Sequence, residues 1–578
     1  IYFLTLVPVI GGQTDYQIRK LCHKSRNYIE CQNNFRLGNQ LENHLNTKVH
    51  AWSMYDWANS AFATSAAVAI VPVYFVSLFK ASFGDSVDVL GFNFTGSSLW
   101  AFAGALSALT LVIVGPILGE IADREGKTQK YLFIFTVIGS LAIFLCIFTS
   151  FWGPGWLWLL FCFAIASFGF LGSCMFINSL MTSVADKSEY DRVSSMGYAY
   201  GYLGGGLLLI FHFIVIFMYQ DTSNEDLVVR FSIASVGIWW FLWSLWTFWK
   251  IPETKPKKTK QEKFNFVSSF KRISVIPMLL PFFIAFFLFN EGIQTVLSVS
   301  GAYGADVLGI DLIVNMALIV IVQLVAAPGA IFFGWLADKW GTKNSLLTTL
   351  VGWIIVVFLA LSFAPFEPDS EKEFDVILRS EGSGAYMVEM PKGEVREIDY
   401  KISSTPLILR NGNKIIEGDV TYLLNEIDDI NGINFSIFII GGKLDNLSAI
   451  GGDHPSNLKG DFLEKWSLIV RNILWKPLNL DVTYQWIFLG ILVGSFMGGS
   501  QALSRSYFAS LIPVDRSGEL FGYFAAVGRI STVMGPLLYF AAVGLFSQRV
   551  GVFVIAILIV IGTILFKWPS LIYKENEK

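Results

Sequence analysis

The sequence predicts an all-α polytopic membrane protein, built as two six-helix bundles with a small β-rich soluble domain inserted late in the chain. Three observations carry that prediction. Apolar runs long enough to cross a bilayer recur twelve times, one loop sequence appears twice at a fixed interval, and one polar stretch of short alternating strands interrupts the second half.

Composition sets the class. The chain has 578 residues, a mean hydropathy of +0.55, 54% hydrophobic residues and 15% charged residues. A soluble domain carries about 25% charged residues, so this apolar content exceeds what an ordinary core hides. A span needs roughly 20 apolar residues. Such runs fall at 54–79, 98–121, 130–150, 156–183, 194–219, 232–250, 275–301, 312–337, 344–364, 483–511, 520–545 and 550–568. Backbone amides in hydrocarbon must be satisfied within the segment, so these runs are helices.

The spans divide the chain. Residues 51–250 form the N-terminal bundle, 251–274 a basic cytoplasmic linker, and 275–364 helices seven to nine. Residues 365–482 are the insert, and 483–578 hold helices ten to twelve with a short tail. Residues 1–50 read as an N-terminal tail. Its first 45 residues are expected to be foreign to the native chain, with a genuine cytoplasmic tail as the alternative.

Orientation follows from Lys and Arg in the short loops. Eight of them lie between Lys250 and Arg272, against Glu253 and Glu262, which places that linker in the cytoplasm. Alternation then puts the loops near Asp123, Asp186, Asp338 and Asp515 inside as well. The insert falls outside, with 12 Lys or Arg and 20 Asp or Glu between Glu367 and Asp481, a net charge of −8. Its short apolar runs, separated by Ser383-Gly384, Asn411-Gly412, Asn431-Gly432 and Gly441-Gly442, predict an antiparallel sheet. Residues 461–477 read as an amphipathic helix leading into span ten.

Cys22, Cys31, Cys146, Cys162 and Cys174 show no metal or redox spacing, and the last three read as small packing residues. No nucleotide-binding motif and no metal or nucleophile constellation occurs. The expectation is therefore no enzyme, no cofactor and no nucleic-acid partner, with transport driven by a gradient.

Gly119-Glu-Ile-Ala-Asp123-Arg124-Glu-Gly126 follows span two, and Gly334-Trp-Leu-Ala-Asp338-Lys339-Trp-Gly341 follows span eight, 215 residues on. A duplicated six-helix half accounts for this. Glycine lets backbones approach closely, and each aspartate is an anion able to sit at the positive N-terminus of a neighbouring helix. The two loops are expected to latch the bundles together on the cytoplasmic side. This motif resembles the signature loop of the major facilitator superfamily, which implies the major facilitator fold.

A closer resemblance rests on Tyr55-Asp56-Trp57-Ala58-Asn59-Ser60-Ala61-Phe62, Gly201-Tyr202-Leu203-Gly204-Gly205-Gly206 and Glu291-Gly292-Ile293-Gln294-Thr295. It continues in Gly499-Ser500-Gln501-Ala502-Leu503-Ser504-Arg505-Ser506 and Gly528-Arg529. These segments resemble the family of the vacuolar, autophagy-related amino-acid effluxer and its bacterial relatives, over roughly 49–364 and 483–568. The resemblance implies amino-acid export and leaves the insert outside the pattern.

Asp56, Asn59, Ser60 and Ala63 share one face of span one. Asn59 is expected to line the cavity, and Asp56 to cap or pair near the interface. Gly197, Gly201 and Gly205, like Gly494, Gly498 and Ala502, form small-residue stripes for helix packing. Asn59, Asn178, Asn290, Glu291, Gln294, Gln501, Arg505 and Arg529 are the expected substrate and proton pathway, with Gln323 and Ser504 nearby. An ionisable group inside a span costs about 2.5–3.5 kcal/mol on insertion scales and usually serves a pathway or a partner. Glu291 is expected to exchange a proton or bind a substrate ammonium, against a static pair with Arg505 or Arg529. His212 reads as a satisfied core histidine.

The sequence thus points to a secondary transporter of a small polar organic solute working by alternating access, with amino-acid efflux implied by the resemblance. The alternatives are a receptor or scaffold acting through the outer domain, and a multidrug- or sugar-type facilitator. Expected partners are the lipid bilayer, the solute and protons as coupling ion. A monomer is expected, in a bacterial inner membrane or, in a eukaryote, a vacuolar one.

Overall fold

The computed structural model describes residues 47–567 apart from 85, 90–91, 150, 152, 254–272, 274, 307, 309, 311, 383, 392–397, 403–404, 428–434, 453, 455, 459–461 and 533. The expectations for the tail at 1–45, most of the basic linker, and the turns at Ser383 and Asn431-Gly432 lie outside the described residues.

The first bundle consists of α1 (Thr47–Phe83), α2 (Gly96–Glu125), α3 (Thr128–Phe148), α4 (Gly155–Val184), α5 (Tyr190–Tyr219) and α6 (Glu225–Lys250). The second begins with α7 (Leu279–Asp306), α8 (Leu312–Trp340) and α9 (Thr342–Ala360). Two helices of the insert follow, α10 (Glu417–Glu426) and α11 (Phe462–Val470). The second bundle then resumes with α12 (Val482–Leu511), the pair α13 (Ser517–Ile530) and α14 (Met534–Leu545), and α15 (Gln548–Lys567). Among the described residues, eleven helical segments are long and apolar enough to cross a membrane, with α13 and α14 counted as one. To these α2 adds a thirty-residue helix with no charge before Glu120.

Glycine sets how closely the helices pack. A Cβ on Gly201 would lie 2.6 Å from Ser60 Oγ, and one on Gly205 would lie 2.7 Å from Thr64 Oγ1. The α5 stripe therefore seats against α1. A Cβ on Gly494 would lie 2.8 Å from the carbonyl oxygen of Val322, so the α12 stripe seats against α8.

Two departures from uniform helices were not expected. Residues Phe62–Ile70 of α1 form a π-helical stretch, a geometry frequent at functional sites. Span eleven, expected as one helix over 520–545, is broken between Ile530 and Met534. Pro536 supplies a local cause, because its ring lacks an N–H and crowds the preceding turn. A hairpin of β1 (Ser86–Val89) and β2 (Phe92–Thr95) also lies in the connection between α1 and α2.

The insert carries β3 (Val376–Ser380), β4 (Ala385–Glu389), β5 (Ile398–Ile402), β6 (Thr405–Leu409), β7 (Lys414–Ile416), β8 (Ser436–Ile440) and β9 (Ser448–Ile450). The expectation of an antiparallel sheet needs correction. The five-stranded sheet runs β7-β4-β3-β8-β9, and β3 pairs β8 in parallel, with Val376 opposite Ile437. A parallel pair needs a crossover, and the chain from β4 through α10 provides it. Strands β5 and β6 form a separate ladder. Val376, Leu378, Tyr386, Val388, Ile437 and Ile439 bury their side chains with Val420 and Leu423 of α10.

Helix α11 docks the insert onto the end of α9. Trp466 Nε1 donates to the Phe358 carbonyl at 2.9 Å, Ser467 Oγ to that of Leu361 at 2.8 Å, and Trp475 Nε1 to Ser362 Oγ at 3.0 Å. The buried Arg471 donates to the Ser456 carbonyl at 2.8 Å and pairs with Glu367 at 3.1 Å. Burial pushes its guanidinium down from the usual range, and Glu367 opposes that shift.

Candidate functional site

A cavity of about 800 Å³ lies between the bundles, lined from α1, α2, α4, α5, α7, α8, α12 and α13. Asn59, Asn178, Asn290 and Gln294 reach it, and so do Gln501, Arg505 and Arg529. Asp56, Ser60 and Ala63 share the α1 wall with Asn59, as their common helical face requires. The π-helical stretch of α1 supplies Phe62, Thr64, Ala67 and Val68 to the same wall.

Glu291 is placed differently. It is 1% exposed and absent from the cavity lining. Its Oε1 accepts the backbone N–H of Gly535, at the start of α14. Glu291 Oε2 has no hydrogen-bond partner among the described residues. The carboxylate pairs with neither Arg505 nor Arg529. It sits instead on the positive end of the half-helix that the break in span eleven creates. The Gly-Pro at 535–536 carried the signal for this break, and the apolar run around it concealed it.

Arg505 closes the floor of the cavity. Its side chain is 3% exposed and bridges the bundles. One terminal nitrogen donates to Asp56 Oδ2 at 3.1 Å and to Asn178 Oδ1 at 2.9 Å. Nε donates to Ser194 Oγ at 2.9 Å, and the other terminal nitrogen donates to the Ser194 carbonyl at 2.8 Å. The guanidinium carbon stands 4.2 Å from the ring centroid of Tyr198 and 4.7 Å from that of Trp52. Asp56 is therefore one half of a buried ion pair that joins the two bundles. Ser194 Oγ also donates to the Ala502 carbonyl at 2.7 Å, and Tyr202 OH donates to Gln501 Oε1 at 2.7 Å.

The repeated loops sit below this floor. Asp123 accepts from the backbone N–H groups of Gly518 and Glu519, both at 2.9 Å, at the N-terminus of α13. A Cβ on Gly119 would collide with the Gly518 carbonyl, so backbone meets backbone there. Gly126 and Gly341 serve another purpose. Each follows the end of its helix with positive φ, 66° and 81°, where glycine carries no Cβ penalty. Asp338 is exposed and makes no hydrogen bond or ion pair among the described residues. Asp191, in the first turn of α5, takes the contact on that side, accepting from Thr342 Oγ1 at 2.6 Å and from Ser506 Oγ. Asp191 escaped the sequence reading, although the pair Asp191-Arg192 recurs as Asp515-Arg516. Arg124 is exposed, and Lys339 lies 4.0 Å from the Trp335 ring centroid.

Two further polar groups are structural. His212 is 1% exposed, with Nε2 2.8 Å from Ser235 Oγ. In the insert, His454 lies between Ser456 Oγ at 2.7 Å and Asp375 Oδ2 at 3.1 Å. Ser456 is fully buried, so this chain ties the two ends of the insert together and presents no nucleophile. Among the described residues no cluster could hold a metal ion.

Two bundles around a cavity lined by both apolar and polar side chains, joined on one side by cross-bundle contacts, define a multi-pass transporter of the major facilitator class. Solved structures share the fold. The proton:xylose symporter XylE aligns at a TM-score of 0.55 and 11% identity, over 90% of this chain and 95% of that one. An outward-facing bacterial homologue of the iron transporter ferroportin aligns at 0.53 and 12%, over 91% and 99%. The major facilitator superfamily description matches residues 32–209. The description "Vacuole effluxer Atg22 like" matches 182–366 and 461–577, more than half of the chain, and the protein belongs to that family. This match skips most of the insert and resumes at α11. The MFS-type transporter YxiO of Bacillus subtilis (strain 168) is 26% identical over 533 residues, 89% of this chain and 93% of that protein. An Aquifex aeolicus (strain VF5) protein is 24% identical over 243 residues, 42% of this chain and 57% of that one.

Proposed function

We propose that this protein exports a small polar organic solute of amino-acid size by alternating access, driven by a gradient. The observation that carries this reading is the Arg505 floor. Below it, Asp56, Asn178 and Ser194 from one bundle grip one guanidinium from the other. Above it the cavity extends along α1 to Val68 and along α2 to Trp100, toward the side that holds the insert. With the Lys- and Arg-rich loops inside, this is a conformation closed to the cytoplasm and open outward. The amide-rich wall suits a polar solute, because buried polar groups favour hydrogen-bonding ligands over apolar ones. The matching family description names an effluxer, and amino acids are the class that the resemblance to the autophagy-related effluxer implies.

The direct experiment uses proteoliposomes loaded with an equimolar mixture of the twenty proteinogenic L-amino acids. Efflux is followed by mass spectrometry with and without an imposed proton gradient. Gradient-dependent loss of a subset, absent from empty liposomes and from Arg505→Ala, is expected. Identical release with and without protein would reject amino-acid export.

A further inference from the structure

The cavity wall holds three formal charges, those of Asp56, Arg505 and Arg529. Asp56 and Arg505 cancel as a pair at 3.1 Å. Arg529 makes no hydrogen bond or ion pair through its guanidinium among the described residues, and Cys174 and Tyr198 are its electrostatic neighbours. It lies 12 residues into α13, about 18 Å along the helix axis, so it is near the membrane midplane. A cation at that depth is costly, and such groups usually face a partner or a pathway. Among the described residues no side chain partners it, and the cavity runs past it.

We infer that Arg529 receives the carboxylate of the transported solute, and that the solute presents a single carboxylate to this wall. The inference rests on the transporter reading above and adds the ligand chemistry. A guanidinium offers two parallel N–H donors that match a carboxylate edge. One bound carboxylate brings the wall from a net charge of +1 to neutrality. A phosphate dianion would leave −1 in the same place, so the charge count favours the monoanion. The wall also offers an acceptor in Gln323 Oε1, which has no donor among the described residues. A solute carrying both a carboxylate and an N–H or O–H group finds an acceptor in the same cavity. The break after Ile530 lies within a turn of Arg529, so ligand held there bears directly on the joint between α13 and α14.

The test uses purified full-length protein and pairs of acid and carboxamide: acetate and acetamide, 4-methylpentanoate and its amide, L-leucine and L-leucinamide, benzoate and benzamide. Binding is read as intrinsic tryptophan fluorescence and as a shift in Tm. At least one acid should bind the wild type tenfold or more tightly than its amide. That preference should fall below twofold in Arg529→Gln and partly return in Arg529→Lys, with both variants checked for a monodisperse elution profile. Amides that bind as well as their acids, no binding by any acid, or a preference that survives Arg529→Gln would each overturn the assignment. Solute flux measured on the same wild-type preparation keeps the two claims apart. Flux without acid preference rejects this inference alone, whereas acid preference without flux rejects the transporter reading and leaves a carboxylate-binding membrane protein.

Discussion

The loops after spans two and eight share a motif, yet they make different contacts. On the first side Gly119 meets Gly518, neither residue has a side chain, and Asp123 reaches two backbone N–H groups. On the second side Gly334 meets the side chain of Ser195. That side chain fills the space where Gly518 leaves none occupied, and Asp338 stays exposed. Asp191 and Thr342 then make the polar contact in its place. A sequence repeat fixes the residue types at two equivalent corners. The partner helix decides which corner closes. The two corners therefore differ: close backbone contact with two hydrogen bonds at Asp123, and a side-chain contact at Asp191.

The largest expected effect lies above both loops, at the floor they support. Arg505→Ala removes the cation from a buried pair and leaves Asp56 without it, a change that costs about 3–5 kcal/mol in comparable sites. A clear drop in Tm and loss of flux are expected, with Arg505→Lys intermediate. An unchanged Tm would mean that the floor does not hold the bundles together.

Next in size is Gly119→Ala, whose Cβ would collide with the Gly518 carbonyl. Flux should fall severalfold more than in Gly334→Ala, because the Ser195 side chain can rotate and a backbone carbonyl cannot. Equal losses would erase the asymmetry.

Asp123→Asn should follow. It keeps one acceptor and loses the charge at a helix N-terminus, an interaction of roughly 0.3–1 kcal/mol. Transport should fall while solute binding changes by less than tenfold, about 1.4 kcal/mol. Asp338→Asn should change either quantity less. Binding lost from a folded Asp123→Asn protein would place the loop in the solute site.

The smallest effect is expected far from the latches. Asp375 and His454 hold the ends of the insert within 3.1 Å, so residues 376–453 can be replaced by a short Gly-Ser linker without stretching the chain. Flux should stay within about twofold, as the family match that skips this region also suggests. Loss of flux with the protein still folded would make the insert part of transport.

Much of this architecture was legible in the sequence. Hydropathy gave the spans and the interruption at 365–482, because hydrocarbon imposes one solution on the backbone. The polar face of α1 does line the cavity, and the first Gly-x-x-x-Asp loop does meet the N-terminus of a helix in the other bundle. The partners of the charges were not legible. Arg505 meets Asp56 across 449 positions of sequence, and no local pattern encodes such a pairing. The partner of Glu291 was hidden as well, since the Gly535 N–H lies at the start of a helix that exists only because span eleven breaks. The mixed sheet was missed because alternation marks a strand and carries no information about its neighbour's direction.

The central claim is that the bundles open alternately on the two sides of the Arg505 floor. Spin labels at Lys127→Cys and Asp515→Cys on the latch side, and at Ser82→Cys and Ser547→Cys on the opposite side, report it by double electron–electron resonance, in a chain whose five native cysteines are replaced by serine. At rest the latch-side pair should show a short distance and the opposite pair a long one. Solute with an imposed proton gradient should populate a second state in which both relations reverse together. One invariant latch-side distance under every condition, with solute flux present in the same preparation, would contradict the account.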